Sequence, residues 1–315
     1  MALQPQVSQF AKCESFETRL AIGGRVLAAT DAGDQVPGFY SGTIEVEYRV
    51  RTDCDPPLAA IALAHELHRP GFGAAGSDTQ LEAGHLYLGA DYLIAPAARL
   101  GWLTQFDWAS ETTGSLNGSA HGDGWMTGPY VALHLSPNVI FDGRFAWARS
   151  NHQVSPTGTY TDDFSTERAL RFGRMTGDYG RGAWRLSPEG EIVRFQDKQF
   201  SSINRNGVTM ADHTANLGLV TFGPKLGYFM ASGHGGGFEP FVAIKGVWTF
   251  ERSANITPPG DYVAGSKPFT GKLEAGAQFL MPGGVSIEGL GALDNIGDSG
   301  ATAYRGRASI RVPLN

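Results

Sequence analysis

The chain has 315 residues, of which 42% are hydrophobic, and its formal net charge is −6. Its mean hydropathy is −0.18. No apolar run approaches the roughly 18 residues of a membrane-spanning helix, which excludes a helical membrane protein. Without long basic or acidic runs, nothing indicates nucleic-acid binding. Glycine is the unusual component, with 43 residues spread along the chain.

Residues 1–80 lack the regular strand pattern of the rest of the chain and are predicted to be an N-terminal remnant. Strands are predicted at residues 19–27 and 40–50, and residues 36–48 resemble the closing hairpin of a secreted β-sandwich. We interpret the region as the end of a β-sandwich passenger plus a linker. The first 16 residues lack the basic and apolar segments of a secretory signal. This predicts a piece of a longer protein or a wrongly started reading frame.

Residues 59–67 are predicted to form a short helix between prolines. The segment and the residue that follows it carry His65, Glu66 and His68, residue types that bind zinc in metalloproteases. The two histidines are three positions apart rather than four, so the protease spacing is not met. We therefore interpret the segment as a solvated helix end, and no metal site is predicted.

From residue 81 to residue 315, apolar and polar residues alternate in eleven segments. Short and long connections follow one another between these segments, as is typical of bacterial outer-membrane barrels. Counting back from the C-terminus places the short turns in the periplasm and the long loops outside. Because such barrels have an even number of strands, a twelfth is expected, either residues 40–50 or a segment upstream. The eleven segments are residues 84–94, 100–108, 124–136, 139–150, 168–179, 183–200, 215–230, 237–252, 269–281, 284–293 and 303–312.

The last segment shows the two faces of a strand clearly. Tyr304 and Ile310 lie on one face, whereas Arg305, Arg307 and Arg311 lie on the other. Repetition of this pattern predicts an all-β fold, a transmembrane antiparallel up-and-down β-barrel of about 12 strands. Its outside would be apolar and its inside polar. In contrast, Arg171 and Arg174 fall on opposite faces of segment 168–179, whose orientation is ambiguous.

Charged residues on the predicted inner faces are the candidate functional residues. They are expected to line a hydrated pore, where ion pairs also stabilise the wall. These pore-lining residues are Asp142, Arg144, Lys245, Lys272, Glu274, Glu288, Arg305, Arg307 and Arg311.

One further segment carries residue types that are used in nucleophilic catalysis. Ser150 and His152, with Asn151 between them, suggest the serine and histidine of an outer-membrane phospholipase. The sequence gives no sign of the required geometry, and His121 and Asp123 are interpreted as ordinary polar residues of a loop. The chain is therefore not expected to be an enzyme or to hold a cofactor or a metal.

Eight short segments, taken in order, resemble the translocator β-barrel domain of bacterial autotransporters, the type V secretion family, over about residues 81–315. The resemblance implies a barrel that inserts in the bacterial outer membrane and exports or anchors an N-terminal passenger at the cell surface. Outer-membrane lipid, the barrel-insertion machinery and the chain's own passenger are the implied partners. One departure is the ending Leu314-Asn315, where family members commonly end on an aromatic residue. The eight segments are residues 88–92, 101–108, 124–130, 141–150, 222–228, 238–243, 273–276 and 280–286.

Two alternatives remain open beside this interpretation. The chain could be a self-contained outer-membrane barrel, acting as a diffusion pore or as a phospholipase-like enzyme. It could also be a soluble β-sandwich adhesin. The sequence does not identify the passenger.

Overall fold

The computed structural model describes most of the chain. Almost all of the described backbone is extended, and among these residues no helix is long and apolar enough to cross a membrane. The described residues are 16–27, 30–31, 34–35, 39–51, 60–72, 79–113, 117–205, 207–233, 235–253, 267–298 and 303–314.

Within the described residues, fourteen long antiparallel strands build the fold. We number them β1 to β14 in chain order. They are β1 Phe16–Leu27, β2 Phe39–Arg51, β3 Ala60–Phe72, β4 Thr79–Ala95, β5 Ala98–Thr113, β6 Gly118–Ser136, β7 Val139–Ser155, β8 Asp162–Gly177, β9 Trp184–Gln199, β10 His213–Tyr228, β11 Gly237–Arg252, β12 Phe269–Leu280, β13 Ser286–Ile296 and β14 Ala303–Leu314.

The strand pairings run around a ring. Each long strand pairs with the one before it and the one after it, and β1 pairs with β14 over its whole length, from Phe16 opposite Leu314 to Leu27 opposite Ala303. Two short strands, Tyr179–Arg181 and Met230–Ala231, extend this sheet beside the short connections. A closed ring satisfies the backbone hydrogen bonds of every strand without a free edge, as a barrel in lipid requires. The predicted fold class is therefore confirmed.

The ring has fourteen strands instead of the predicted 12 or so. All eleven strands predicted after residue 81 are present, and the difference arises in the first 72 residues. There β1, β2 and β3 pair in order and connect β14 to β4, so residues assigned to an N-terminal remnant contribute to the same sheet. The strand predicted at residues 40–50 lies in the ring as β2.

The short helix predicted at residues 59–67 is wrong, because this segment belongs to strand β3. Its alanines favour a helix in isolation, but they alternate with Ile61, Leu63 and His65 at the period of a strand. β2 and β4 provide backbone hydrogen-bond partners on both sides, and this pairing overrides local propensity. Since positions three apart do not share a face of a strand, the helical argument for metal binding by His65 and His68 no longer applies.

The two faces of the sheet differ as the alternation predicts. On β11 and β12, Ile244 is 66% exposed and Leu273 is 39% exposed, and both point outward. Their chain neighbours Lys245 and Glu274 point inward, with side chains 12% exposed. The outer surface of these strands is thus apolar, whereas the charges face the lumen.

The inner face also contains an apolar cluster. Met126 of β6 packs with Ala146 and Ala148 of β7, Leu170 of β8, and Val193 and Phe195 of β9. These side chains are nearly or completely buried, and Phe172 packs against them. The described lumen is therefore polar along β11–β14 and partly filled by apolar side chains along β6–β9.

Several glycines of the wall accommodate an aromatic ring from the facing strand. Gly84 lies directly opposite Trp108, and Gly101 lies directly opposite Tyr130. A Cβ atom built on Gly101 would lie 2.2 Å from the Tyr130 ring, so no larger residue fits without displacing it. Covering a strand glycine with a cross-strand aromatic ring stabilises curved sheets. This packing explains part of the high glycine content.

Candidate functional site in the barrel lumen

A continuous ion-pair network lines the inner face from β9 to β14. Lys245 Nζ lies 2.9 Å from Glu189 Oε1 and 3.1 Å from Glu274 Oε2. Lys272 Nζ lies 2.7 Å from Glu274 Oε1 and 3.6 Å from Asp294 Oδ1. Arg305 completes the network, 3.4 Å from Asp294 and 3.9 Å from Glu274.

The strand register explains why Glu274 is the centre of this network. Lys245 of β11 lies directly opposite Lys272 of β12, and two like charges in that arrangement repel each other. Glu274 is two positions from Lys272 on the same face and accepts from both lysines, one on each carboxylate oxygen. The network as a whole contains three cationic and three anionic side chains, so its charges balance.

A second charged group lies on β7 and β8. Arg174 donates to Asp142 Oδ2 at 2.9 Å, and both side chains are largely buried. Arg144, two positions along β7, is 5% exposed and lies directly opposite Tyr130. No described group hydrogen-bonds its guanidinium nitrogens. The structure thus places both residues predicted on β7 at the inner face, but only Asp142 has an ion-pair partner among the described residues.

A third group surrounds Arg168 in the half of the barrel nearer the long loops. Its guanidinium lies 3.4 Å from Asp107 and 3.5 Å from Asp197, which joins strands β5, β8 and β9 across the inner face. Nearer the short turns, Arg99 Nη1 lies 2.8 Å from Asp91 Oδ1, and the Tyr130 hydroxyl donates to Asp91 Oδ2 at 2.7 Å. The inner wall therefore carries ion pairs at several heights.

The remaining predicted pore residues lie on β13 and β14. Glu288 is half-buried and lies between Gln278 and Ser309 in the register, with no ion pair to any described side chain. Arg307 is half-buried and lies opposite Leu290. Arg311 pairs through its backbone with Ser286, while its side chain is outside the described set.

Sequence reasoning missed the partners that complete the ion pairs. Glu189 lies on the face of β9 opposite to Trp184, Leu186 and Ile192, which are exposed, so the alternation contained the signal. Asp294 was missed because the predicted strand ends at residue 293, whereas β13 continues to Ile296. Asp107, Arg168 and Asp197 are far apart in sequence, and only the closed sheet brings them together.

The residues considered for catalysis lie near a cavity of about 680 Å³ at the long-loop end. His121, Asp123, Asn151 and His152 line it, together with Phe164 and the segment after β9. The His152 ring stacks on Phe164 with centroids 4.9 Å apart, and its Nε2 lies 3.4 Å from Thr166 Oγ1 and 3.5 Å from Arg168.

Ser150 and His152 share the inner face of β7 but do not form a catalytic pair. Ser150 is 1% exposed, and its hydroxyl has no hydrogen-bond partner among the described residues. Nucleophilic catalysis needs the base within hydrogen-bond reach of the hydroxyl. Within the described ranges, no three His, Cys, Asp or Glu residues are arranged to hold a metal ion.

The comparison with protein families shows which kind of barrel this chain forms. The model of the autotransporter β-domain matches residues 69–289, well over half of the chain. The chain belongs to the autotransporter β-domain family. It is an outer-membrane translocator barrel of type V secretion, as the sequence resemblance predicts. A search of the curated proteins finds no match.

Solved structures show the same fold at low identity. The β domain of the Bordetella autotransporter BrkA is 14% identical, with a TM-score of 0.53 over 96% of this chain and 100% of that one. The translocator domain of NalP from Neisseria meningitidis is 10% identical, with a TM-score of 0.52 over 98% and 92%. The toluene transporter TodX of P. putida is also 10% identical, with a TM-score of 0.57 over 99% and 93%.

Proposed function

We propose that this translocator barrel lies in the bacterial outer membrane and brings an N-terminal passenger segment to the cell surface through its lumen. Outer-membrane location is the rule for autotransporter β-domains. The observation that carries the proposal is the balanced ion-pair network around Glu274, which faces the lumen behind an apolar outer surface. The barrel-insertion machinery would assemble the fourteen strands, and the long loops would face outside.

The chemistry of the lumen suits the passage of a polypeptide. Lysine, arginine and carboxylate side chains that already neutralise one another have little free charge with which to retain a passing segment. They nevertheless keep water at the wall, which allows peptide groups of an extended chain to remain hydrated. We propose that the four predicted pore residues of the network, Lys245, Lys272, Glu274 and Arg305, act in this collective way rather than as a specific binding site.

The barrel size is compatible with this role. Eight-stranded barrels are filled by their own side chains, whereas 16- to 18-stranded porins enclose an aqueous channel. A ring of fourteen strands lies between these sizes. Side chains along β6–β9 fill part of the interior, so the open part of the lumen would lie along the charged wall.

A diffusion pore is the second candidate, favoured by the similarity to the toluene transporter TodX, whose TM-score slightly exceeds that of BrkA. We do not propose an enzyme, because His152 Nε2 is engaged by Thr166 and Arg168 rather than by Ser150.

Surface display tests the proposal directly. The full chain is expressed in a Gram-negative host behind a cleavable signal peptide and an epitope tag, and the tag is probed on intact cells with antibody and external protease. We expect surface labelling that protease removes. A heat-modifiable barrel in the outer membrane whose tag stays in the periplasm would overturn the export role. Steady conductance of that barrel in planar bilayers would then favour the diffusion pore.

A further inference from the structure

Charged side chains on the outer surface are concentrated on one part of the barrel. Arg149 of β7, Arg171 of β8 and Lys198 of β9 are exposed on the face opposite to the lumen. Arg194 of β9 lies beside them, with a side chain 34% exposed. We call these four residues the outer basic patch. Along β11–β14, by contrast, the outward face carries one charge that contacts the patch, Glu251 at the long-loop end of β11. Its other outward positions include Val242, Ile244, Trp248, Leu273, Phe279 and Tyr304.

The strand register shows that this patch lacks enough carboxylates to neutralise it. Arg171 lies directly opposite Arg194, an arrangement in which two like charges destabilise the sheet. Glu251 pairs with Arg194 through both carboxylate oxygens, at 2.6 and 3.1 Å. Glu167 of β8 lies directly opposite Arg149 on one side and Lys198 on the other, and it forms no ion pair with a described side chain. At the paired positions four cations thus meet two carboxylates, and neither carboxylate lies directly opposite Arg171.

Apolar side chains surround Arg171 on the outer surface, so water hydrates its charge poorly. Its register neighbour Phe145 is 43% exposed, and Met175 and Ile192 on the same outer surface are 48% and 49% exposed. Such side chains belong to the lipid-facing band, and a charge beside that band is retained where it finds a partner. Long arginine side chains reach from there toward the head groups.

Arg149, Arg194 and Lys198 lie in the half of the barrel nearer the long loops, whereas Arg171 lies near the middle of β8. Arg149 is closer to the end of β7 at Ser155 than to its start at Val139, and Lys198 is next to the last residue of β9. With the orientation proposed above, on which this inference rests, that is the outer leaflet. Guanidinium groups bind phosphate oxygens bidentately, and basic pockets at the membrane surface recognise anionic head groups.

We propose that the outer basic patch binds the phosphate-bearing head group of a lipid in the leaflet on the long-loop side. Arg171 and Arg194 hold the phosphate between them. Its negative charge attracts both guanidinium groups and offsets the repulsion between them. Arg149 and Lys198 add charge at the level of the head groups. One anionic lipid is thereby held on strands β7–β9, while the β11–β14 surface meets acyl chains only.

Tryptophan quenching by brominated lipids measures this preference. Trp147 and Trp125 lie outward beside Arg149. The refolded full chain is placed in phosphatidylcholine vesicles that contain brominated phosphatidic acid or brominated phosphatidylcholine. We expect the relative association constant for phosphatidic acid to exceed that for phosphatidylcholine by on the order of tenfold, as two arginines near an anionic surface allow. Equal quenching by the two lipids in the wild-type chain would overturn the proposal.

Two variants locate the effect. The double substitution Arg171→Gln with Arg194→Gln should make the association constants of the two lipids equal. The control is Arg181→Gln with Arg205→Gln, which removes the same charge from exposed positions outside the patch and should keep the preference. If the patch variant does not refold, Glu251→Gln serves instead: it removes the competing carboxylate and should raise the preference. An unchanged or lower preference in Glu251→Gln would contradict the proposal.

The source of the phosphate and the link to export are tested separately. Excess inorganic phosphate should not suppress the preference, because the acyl chains contribute to binding; full suppression would assign the patch to free phosphate and overturn the lipid proposal. The assay involves no passenger. If the wild-type chain shows surface display but no lipid preference, only the lipid proposal is rejected. If it shows the lipid preference but no surface display, only the proposed export function is rejected.

Discussion

The β11–β14 wall and the β7–β9 wall distribute their charges differently between the two faces of one sheet. On β11–β14 the charges of the network around Lys245, Lys272 and Glu274 point inward and neutralise one another. The outer face is apolar except for Glu251 at the long-loop end of β11, which pairs with Arg194. On β7–β9 the inner face has the pair of Asp142 with Arg174, while Arg171 and other cations lie outside. The first wall therefore suits contact with hydrocarbon alone, and the second suits contact with head groups as well.

The difference also separates two ways of stabilising a charge. Inside the barrel, each lysine of the network has carboxylates within 4 Å, and side-chain exposures are 12% and 16% for Lys245 and Lys272. Outside, the cations outnumber the carboxylates, and the balance has to come from the membrane.

Removing residues 304–315 should abolish assembly. This deletion takes away nearly all of β14, which pairs with both β1 and β13, and it removes Arg305 from the network. Two free strand edges in lipid leave many backbone groups without partners. The measurement is heat-modifiable migration after refolding into vesicles, with protease resistance as a second readout. A protease-resistant barrel formed by the shortened chain would show that β14 is not needed for closure.

Ile244→Arg should cost about 2–4 kcal/mol of folding free energy, because it places a charge on the lipid-facing side of the β11–β14 wall. The matched control is Gln196→Arg, which adds the same side chain between Arg194 and Lys198 on the β7–β9 wall and should cost about 0–1 kcal/mol. Both values come from urea titrations of folding in liposomes. Equal costs would mean that the two outer surfaces meet the same environment, and the contrast between the walls would not hold.

The contrast explains which parts of the fold the sequence could predict. On β11 and β12, Lys245, Lys272 and Glu274 each lie between apolar or small neighbours, so their face could be assigned from the pattern alone. On β8, Arg171 and Arg174 occupy both faces, and alternation could not assign the strand. Segment 59–67 was misassigned because helix propensity and strand alternation conflict there, and only pairing with β2 and β4 decides between them.

The sequence predicts which face of each strand carries the charged residues of the site, but it does not predict which of these residues contact one another. The pattern predicts that Arg305 faces inward, and the structure places it there. That Lys245 shares Glu274 with Lys272 depends on the register between β11 and β12, which no local feature of the sequence determines. The same holds for Arg168, whose partners Asp107 and Asp197 come from strands distant in the chain.

Glu274→Gln should destabilise the barrel by about 1–3 kcal/mol, because it leaves Lys245 and Lys272 facing each other without the shared carboxylate. Glu288→Gln is the control, since it makes the same change on the inner face of β13 at a residue without an ion pair to a described side chain. Its expected cost is below about 0.5 kcal/mol. Urea midpoints in liposomes give both values, and similar costs would argue against a role of the network in stability.

Arg307→Ser should have the smallest effect, about 0–1 kcal/mol, because it removes one half-buried charge from a hydrated inner face. Ile310→Arg on the same strand is the contrasting change, since Ile310 belongs to the outward set with Tyr304 and an arginine there would face lipid, at a cost of about 2–4 kcal/mol at the membrane centre. Refolding yields of the two variants in liposomes should therefore fall in the order Arg307→Ser above Ile310→Arg. The reverse order would mean that β14 presents its arginines to lipid. Because a shift of one residue exchanges the faces of a strand, the inward assignment of Arg305 and Arg307 would then have to be reversed.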